Sequence, residues 1–461
     1  MNVVSVSISI LVLTGIAGVA AIAYFWVRGN DGLAMRRWLL VVFVAAYVVS
    51  GLVHVLGIST SRGFYEAMPA SPYDSNTGLL VAAWCTPIGL AGLVLGLSAR
   101  WKAPPTTRRR APYSMADSHR LFTLSMALLL SAAGAVGVIR MRGLAAAASG
   151  DRIIAIDGGM ARYAFLSSWM PWGVLLLTLC FVLRQKTAAA DMWNTLVMGG
   201  AVGVIALSSS WTGGRTDLPQ FTLPLLVVVL PMLRGLRTPI AVGGGLAAFA
   251  LIYAQTINRT GEGTFSLAAL LDWQWGRFSM AAWAGRYVAE HGYLHGETLL
   301  AGFAAVPMAF LHLAGVKGGD WSTITAYSGG WFHGDMEMIF TVPGMSAELY
   351  ANFGYLGVFV GYLVLGLVAA LVADLYQHAD LELTRALLGY LFGALLLQTA
   401  NAQSGAFTPL ILLTGLPLIG FTVLEILTRQ YDRIRERRLS DPFIPSRPAP
   451  FRPQWRRPVS R

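Results

Sequence analysis

The sequence predicts an all-α polytopic membrane protein of about 11 transmembrane helices, and three observations predict it. Of its 461 residues, 55% are hydrophobic and only 12% are charged, about half the charged share of a soluble domain. Apolar runs near the roughly 20 residues needed to cross a bilayer recur along the chain. Basic residues collect at the ends of those runs and in the C-terminal tail. The length alone would suit several globular domains. The pattern instead gives one integral membrane domain, residues 1–427, followed by a basic Pro/Arg-rich tail, 428–461.

Taken in order, Val3 to Val27 is the first span, too long and too uncharged at its start for a typical cleaved signal peptide. Arg28, Arg36 and Arg37 separate it from a second span over 38–58. A polar, nearly neutral loop leads to the third, 78–98, and a basic connection with Arg100, Lys102 and Arg108 to Arg110 follows. Spans four to eight fall near 121–139, 164–183, 192–209, 218–233 and 238–256. A long segment, 257–345, reads as one large extracytoplasmic loop. Spans nine to eleven lie near 346–373, 386–401 and 407–427, and the tail has the composition of a disordered segment.

Orientation follows from the positive-inside rule. With the N-terminus outside and the C-terminus inside, 24 of the 34 basic residues fall on the cytoplasmic side. Ten fall outside, four of them in the long loop, which the rule discounts. The net charge of +11 is therefore a topology signal and an attraction to anionic headgroups, with no nucleic-acid partner implied. Cys85 and Cys180 both lie in apolar spans, against a disulfide framework or a thiolate metal site. The apolar stretch 298–316 would reverse every later connection if it crossed alone. It reads as a re-entrant or interfacial segment broken at Pro307, since irregular backbone at membrane depth is tolerated where protein covers it.

The polar residues assigned to the outer side are the candidates for chemistry. Arg215, in Gly213-Gly-Arg-Thr-Asp217, either offers its planar guanidinium to phosphate oxygens or snorkels to the interface beside Asp217. Arg277 and Arg286 stand nine residues apart, on opposite sides of an ideal helix, so they converge only across a bend or by facing different partners, or else are loop arginines solvated or paired with Asp272 or Glu290. The tryptophans beside Arg277 suit interfacial anchoring or stacking on sugars. His291 and His295, at i,i+4, have metal-ligand spacing on a helix, but no third ligand is suitably placed, so no metal is expected. His333 lies in a glycine-loosened loop beside Asp335 and Glu337 and is a base near neutral pH or a hydrogen-bonded loop residue. Glu348 and Asn352 share a face of the helix that opens at Ser346. An ionisable residue there is a functional candidate or a partner of the helix macrodipole. No phosphate-binding glycine loop, metal-bridging Asp pair or Ser-His-Asp set is evident, so soluble nucleotide chemistry is unsupported.

The order of these features resembles the Wzy-type O-antigen and exopolysaccharide repeat-unit polymerases over roughly 194–373. Gly213-Gly-Arg215 resembles their Arg-containing turn, and Trp275-Gly-Arg-Phe278 an element early in their external loop. His295-Gly-Glu-Thr-Leu-Leu300 with Pro307 resembles their "G-x-(S/T)-x-x … P" stretch. Glu348-Leu-Tyr-Ala-Asn-Phe-Gly-Tyr-Leu-Gly357 resembles their "E-x-Y-x-N-F-G-x-x-G" exit into the next span, the most specific of the four. Met308 departs from the pattern, standing where many relatives carry Arg.

The resemblance implies a multi-pass enzyme of the cytoplasmic membrane whose active site faces outside. Its substrates would be polyprenyl-pyrophosphate-linked oligosaccharides, and its partners membrane lipids, a flippase and a chain-length regulator. Arg215, Arg277 and Arg286 would hold the pyrophosphate. His333 would be the base, with Glu348 its competitor or the organiser of an arginine. No cofactor is required, because arginines supply the charge. A lipid-linked glycan ligase remains an alternative on the same scaffold. So does a flippase, although transporters place charge and broken helices near the midplane.

Overall fold

The computed structural model describes residues 2–27, 31–58, 76–99, 117–147, 277–304, 322–334, 343–378 and 382–399, with a few isolated positions between 166 and 204. Among the described residues every regular element is a helix. All described elements fall in one unit, Met1–Leu416. Apart from those isolated positions, spans five to eight, span eleven and the tail lie outside the described residues, so the count of eleven is carried by sequence alone.

Helix α1, Val3–Val27, coincides with the first expected span. It buries Ser7, Leu11, Thr14, Gly18 and Phe25, a single stripe at helical spacing. Leu13, Ile16 and Val19 on its other faces are more than 60% exposed. A helix apolar all round that buries one stripe has the rest of its surface suited to lipid. Helix α2, Asp31–Phe43, continues through a π-helical turn at Val44–Val49 into α3, Ser50–Val55. Helix α4, Asn76–Ser98, is the third expected span and the axis of the assembly: α1 and two later helices pack on it. Helix α5, Asp117–Ala147, contains the fourth expected span, and α6, Phe278–His291, comes next among the described elements. Helix α7 is Ile324–His333, α8 is Met345–His378 and α9 is Glu382–Gln398. Among the described residues four apolar stretches are long enough to cross a membrane: Val3–Val27, Met35–Val55, Asn76–Ser98 and Met345–Gln377. The chain is a helical membrane protein.

Helices α4 and α8 meet backbone to backbone. A Cβ on Gly96 would fall 2.8 Å from Gly366 Cα, and one on Gly92 3.1 Å from Leu363 N. Small residues are what allow such an approach in a membrane, where apolar burial supplies no force between helices. At the far end of α4, Arg36 is 2% exposed. Its Nη1 donates to the Leu97 and Ala99 carbonyls at 2.6 and 2.8 Å, and its Nη2 pairs with Asp374 of α8. One guanidinium thus caps the free carbonyls of α4 and ties α2 to α8.

The segment 257–345 contains two described helices, α6 and α7. Helix α6 lies within it and packs against α4 and α8, with Phe278 to Gly285 all buried. Near His333, the expected loose loop is helix α7. Thr323 caps it by accepting from Ala326 N at 3.3 Å, Gly334 stops it at φ 72°, and Ile324, Ser328 and Phe332 bury one face.

The ninth expected span is also broken. At Gly354 the backbone of α8 takes φ 64°, ψ −152°, open to glycine and strained for other residues. Ser346 Oγ lies 3.1 Å from Tyr362 Oη, 16 residues later; an unbroken helix would put them about 24 Å apart. A Cβ on Gly361 would meet the Leu349 side chain. The first arm, 345–353, therefore folds back along the second, 355–378, and only the second is a continuous span.

Candidate functional site

The fold-back carries Ser346 into the bundle beside the π-helical turn of the second span. There Ser346 N donates to the Tyr47 hydroxyl at 3.3 Å, and the Tyr362 hydroxyl donates to the Thr399 carbonyl at 3.1 Å. Tyr47, Ser346, Tyr362 and Thr399 are all essentially inaccessible to solvent. Arg277 enters the same layer. Its backbone N–H donates to the Ala46 carbonyl at 3.1 Å, which also accepts from the Ser50 hydroxyl. A π turn frees carbonyls from the regular ladder for such partners, and such turns recur at functional sites.

Ala46 and Tyr47 lie near the middle of the stretch Met35–Val55. The Arg277 backbone is therefore level with the middle of that stretch, and the residue is 9% exposed. An arginine held inside a membrane bundle marks a functional site by default.

A second polar cluster ties the fold-back to the segment after α6. The Thr298 hydroxyl donates to Glu348 Oε1 at 3.0 Å, and Asn352 Nδ2 donates to Thr298 Oγ1 at 2.7 Å and to the Glu348 carbonyl at 2.8 Å. Gly296 N donates to Asn352 Oδ1 at 2.8 Å, and Leu294 N to the Ala351 carbonyl at 2.9 Å. Thr298, Glu348 and Asn352 are fully buried. Phe353 lies against Gly296, and the Tyr293 hydroxyl is 3.0 Å from where a Cβ on Gly354 would be. The two stretches singled out in the sequence, 295–300 and 348–357, thus form one hydrogen-bonded unit. Glu348 and Asn352 do share a face, and that face is buried within the protein.

The remaining candidates are dispersed. Arg286 pairs with Glu290 at 2.9 Å on the half-exposed side of α6 and lies over the Trp331 ring at 5.5 Å. Arg277 and Arg286 do face different neighbours. His291 ends α6 at Gly292, and His295 lies beyond it with φ 49°, so the two histidines share no helical face. Among the described residues no three His, Cys, Asp or Glu side chains gather as a metal site would need. His333 closes α7; its side chain, Arg215 and Met308 lie outside the described residues.

Sequence reasoning missed Tyr47, Thr298, Ser346 and Tyr362. The first and last are aromatics in apolar runs, where nothing local separates a polar-core tyrosine from a packing one. Thr298 had a signal, its place in the 295–300 stretch, but no visible partner. No protein-family model, curated protein or solved structure matches the chain.

Proposed function

We propose that this protein is a membrane glycosyltransferase that polymerises polyprenyl-pyrophosphate-linked oligosaccharide repeat units into a surface polysaccharide at the outer face of the membrane. The topology that goes with this reading has eleven spans, the N-terminus outside and the C-terminus inside. The observation that carries it is the union of the 295–300 and 348–357 stretches by the Thr298–Glu348–Asn352 cluster beside a helix that begins with the buried Arg277. Membrane-depth backbone that is irregular, covered by protein and armed with a cation suits an anionic lipid-linked substrate.

In the reaction, a hydroxyl oxygen of the acceptor repeat unit attacks the anomeric carbon of the growing glycan. The bond from that carbon to the phosphate oxygen breaks, and polyprenyl pyrophosphate departs with the electron pair. Arg277 and Arg215 meet the charge that builds on the leaving group. The acceptor proton goes to His333. Glu348, fully buried and accepting from Thr298, suits positioning better than proton transfer. Guanidinium groups supply the charge that the scheme needs.

A deletion strain tests the proposal. Polyprenyl-linked glycans and surface polysaccharide would both be extracted and sized. Single repeat units accumulating outside, with long polymer lost, is the expected result. Finished polymer stranded on its lipid would make the protein a ligase. Repeat units trapped on the cytoplasmic side would make it a flippase, a reading that the broken helix at Gly354 also suits.

A further inference from the structure

We infer that the aromatic cluster between the end of α6 and helix α7 is a sugar-binding platform, a subsite for a neutral or amino-substituted pyranose of the bound glycan. The inference rests on the glycosyl-transfer reading and assigns it residues that reading does not use.

Each helix contributes two rings at i,i+4. On α6, Tyr287 and His291 stack at 4.7 Å with 13° between their planes. On α7, Trp331 approaches them edge-on at 5.8 and 5.4 Å, and Tyr327 lies 5.9 Å from Tyr287. A charged rim surrounds the rings: the Tyr327 hydroxyl donates to Glu297 Oε1 at 2.7 Å, and the Arg286–Glu290 pair flanks Trp331. Glu290, His291 and Glu297 are exposed, and Arg286, Tyr327 and Trp331 half-buried. The indole N–H of Trp331 is buried and has no acceptor among the described residues.

One turn deeper, Trp283 and Phe332 show what rings used only for packing look like here, fully buried at 6.1 Å. Tyr287 is itself buried against Trp283, and the platform differs in the access of His291, Tyr327 and Trp331 to solvent and in its polar edge. Flat rings take up the C–H face of a pyranose, while carboxylates and a guanidinium accept from and donate to the hydroxyls around it. Two carboxylates against one guanidinium leave the rim acidic, which disfavours acidic sugars. The platform stands at the opposite end of α6 from Arg277. The rise from 277 to 291 is about 21 Å, so a glycan could lie here while its pyrophosphate lies at the arginine.

The test uses full-length protein in lipid nanodiscs. The probe is the oligosaccharide pool that mild acid releases from the source cell's own polyprenyl-linked glycans. Saturation-transfer NMR and tryptophan fluorescence should report saturable binding, weakened at least tenfold by Trp331→Ala and several-fold by Glu297→Gln. No binding by the wild-type protein, or wild-type affinity in Trp331→Ala, overturns the platform. If Trp331→Ala fails to fold, Glu297→Ala on the exposed rim decides, and unchanged affinity there overturns it. Cells that make normal polymer with a protein blind to the released glycan would lose the platform and keep the glycosyltransferase. Cells whose deletion leaves the polymer intact would lose the proposed function itself.

Discussion

Replacing Asn352 by Ala should unfasten the segment 294–298 from the fold-back. The amide of Asn352 accepts from Gly296 N and donates to Thr298 and to the Glu348 carbonyl, all within 2.8 Å and fully buried. Three net hydrogen bonds are worth about 1 kcal/mol each, and stranding the Gly296 N–H costs about 1 kcal/mol or more besides. The expected loss is therefore about 4 kcal/mol, a large share of the stability of a typical domain. Equilibrium unfolding in mild detergent would measure it, and hydrogen exchange would locate it at the Leu294 and Gly296 amides. Asn352→Asp is the sharper variant. It keeps an acceptor for Gly296 but loses both donations and sets a second carboxylate beside Glu348. It should match the Ala variant at neutral pH and recover stability as the pH falls and one carboxyl takes up a proton. A loss below about 0.5 kcal/mol in Asn352→Ala, well under the net worth of one such bond, or unchanged protection of Gly296, would refute the argument.

Gly354→Ala should cost about 2 kcal/mol or more, because its dihedrals are strained for any residue with a Cβ and the Tyr293 hydroxyl would crowd that Cβ at 3.0 Å; a thermal melt equal to wild type would show that the fold-back does not need glycine. Asp374→Ala should destabilise by about 3 kcal/mol by leaving the buried Arg36 without its carboxylate. Arg36→Met with Asp374→Leu should recover much of that, and no recovery would mean that the pair is more than a mutual neutralisation. Arg277→Ala should abolish polymer while the membrane level of the protein holds, and normal chain length in that strain would remove Arg277 from the site. Burial, then the hydrogen bond to Glu297 and its charge, raises the Tyr327 phenol above its ordinary 10.0. The folded protein keeps that proton after the unfolded chain has lost it, so stability should be level below about pH 10 and decline above it. Glu297→Gln should lower the pH at which the tyrosinate absorbance of Tyr327 appears, and an unmoved titration would exclude the contact.

The membrane class and several helix positions were legible in the sequence for a plain reason. A bilayer sets helix length and demands an apolar surface, and both are written in local composition. Helices α1 and α4 therefore fall within two residues of the expected spans. The i,i+4 relation of Glu348 to Asn352 was equally local and survives. Helix α7 was missed because Gly329 and Gly330 weigh against a helix, and the Thr323 cap with the buried face of Ile324, Ser328 and Phe332 outweighs them. The burial of Arg277 was not legible because burial depends on what surrounds a segment, and Ala46 lies far from it in sequence.

By itself, then, the sequence determined a helical membrane protein, the positions of its long apolar helices and the two stretches worth watching. Each of these depends on hydropathy or spacing within a few turns of chain. The tertiary structure alone decided that the ninth span doubles back at Gly354 and that Thr298 meets Glu348 across 50 residues. It alone decided that Arg277 begins a helix inside the bundle. Glycine permits a turn without requiring one, and a buried polar group needs a partner without specifying which. Only the packed chain chooses both.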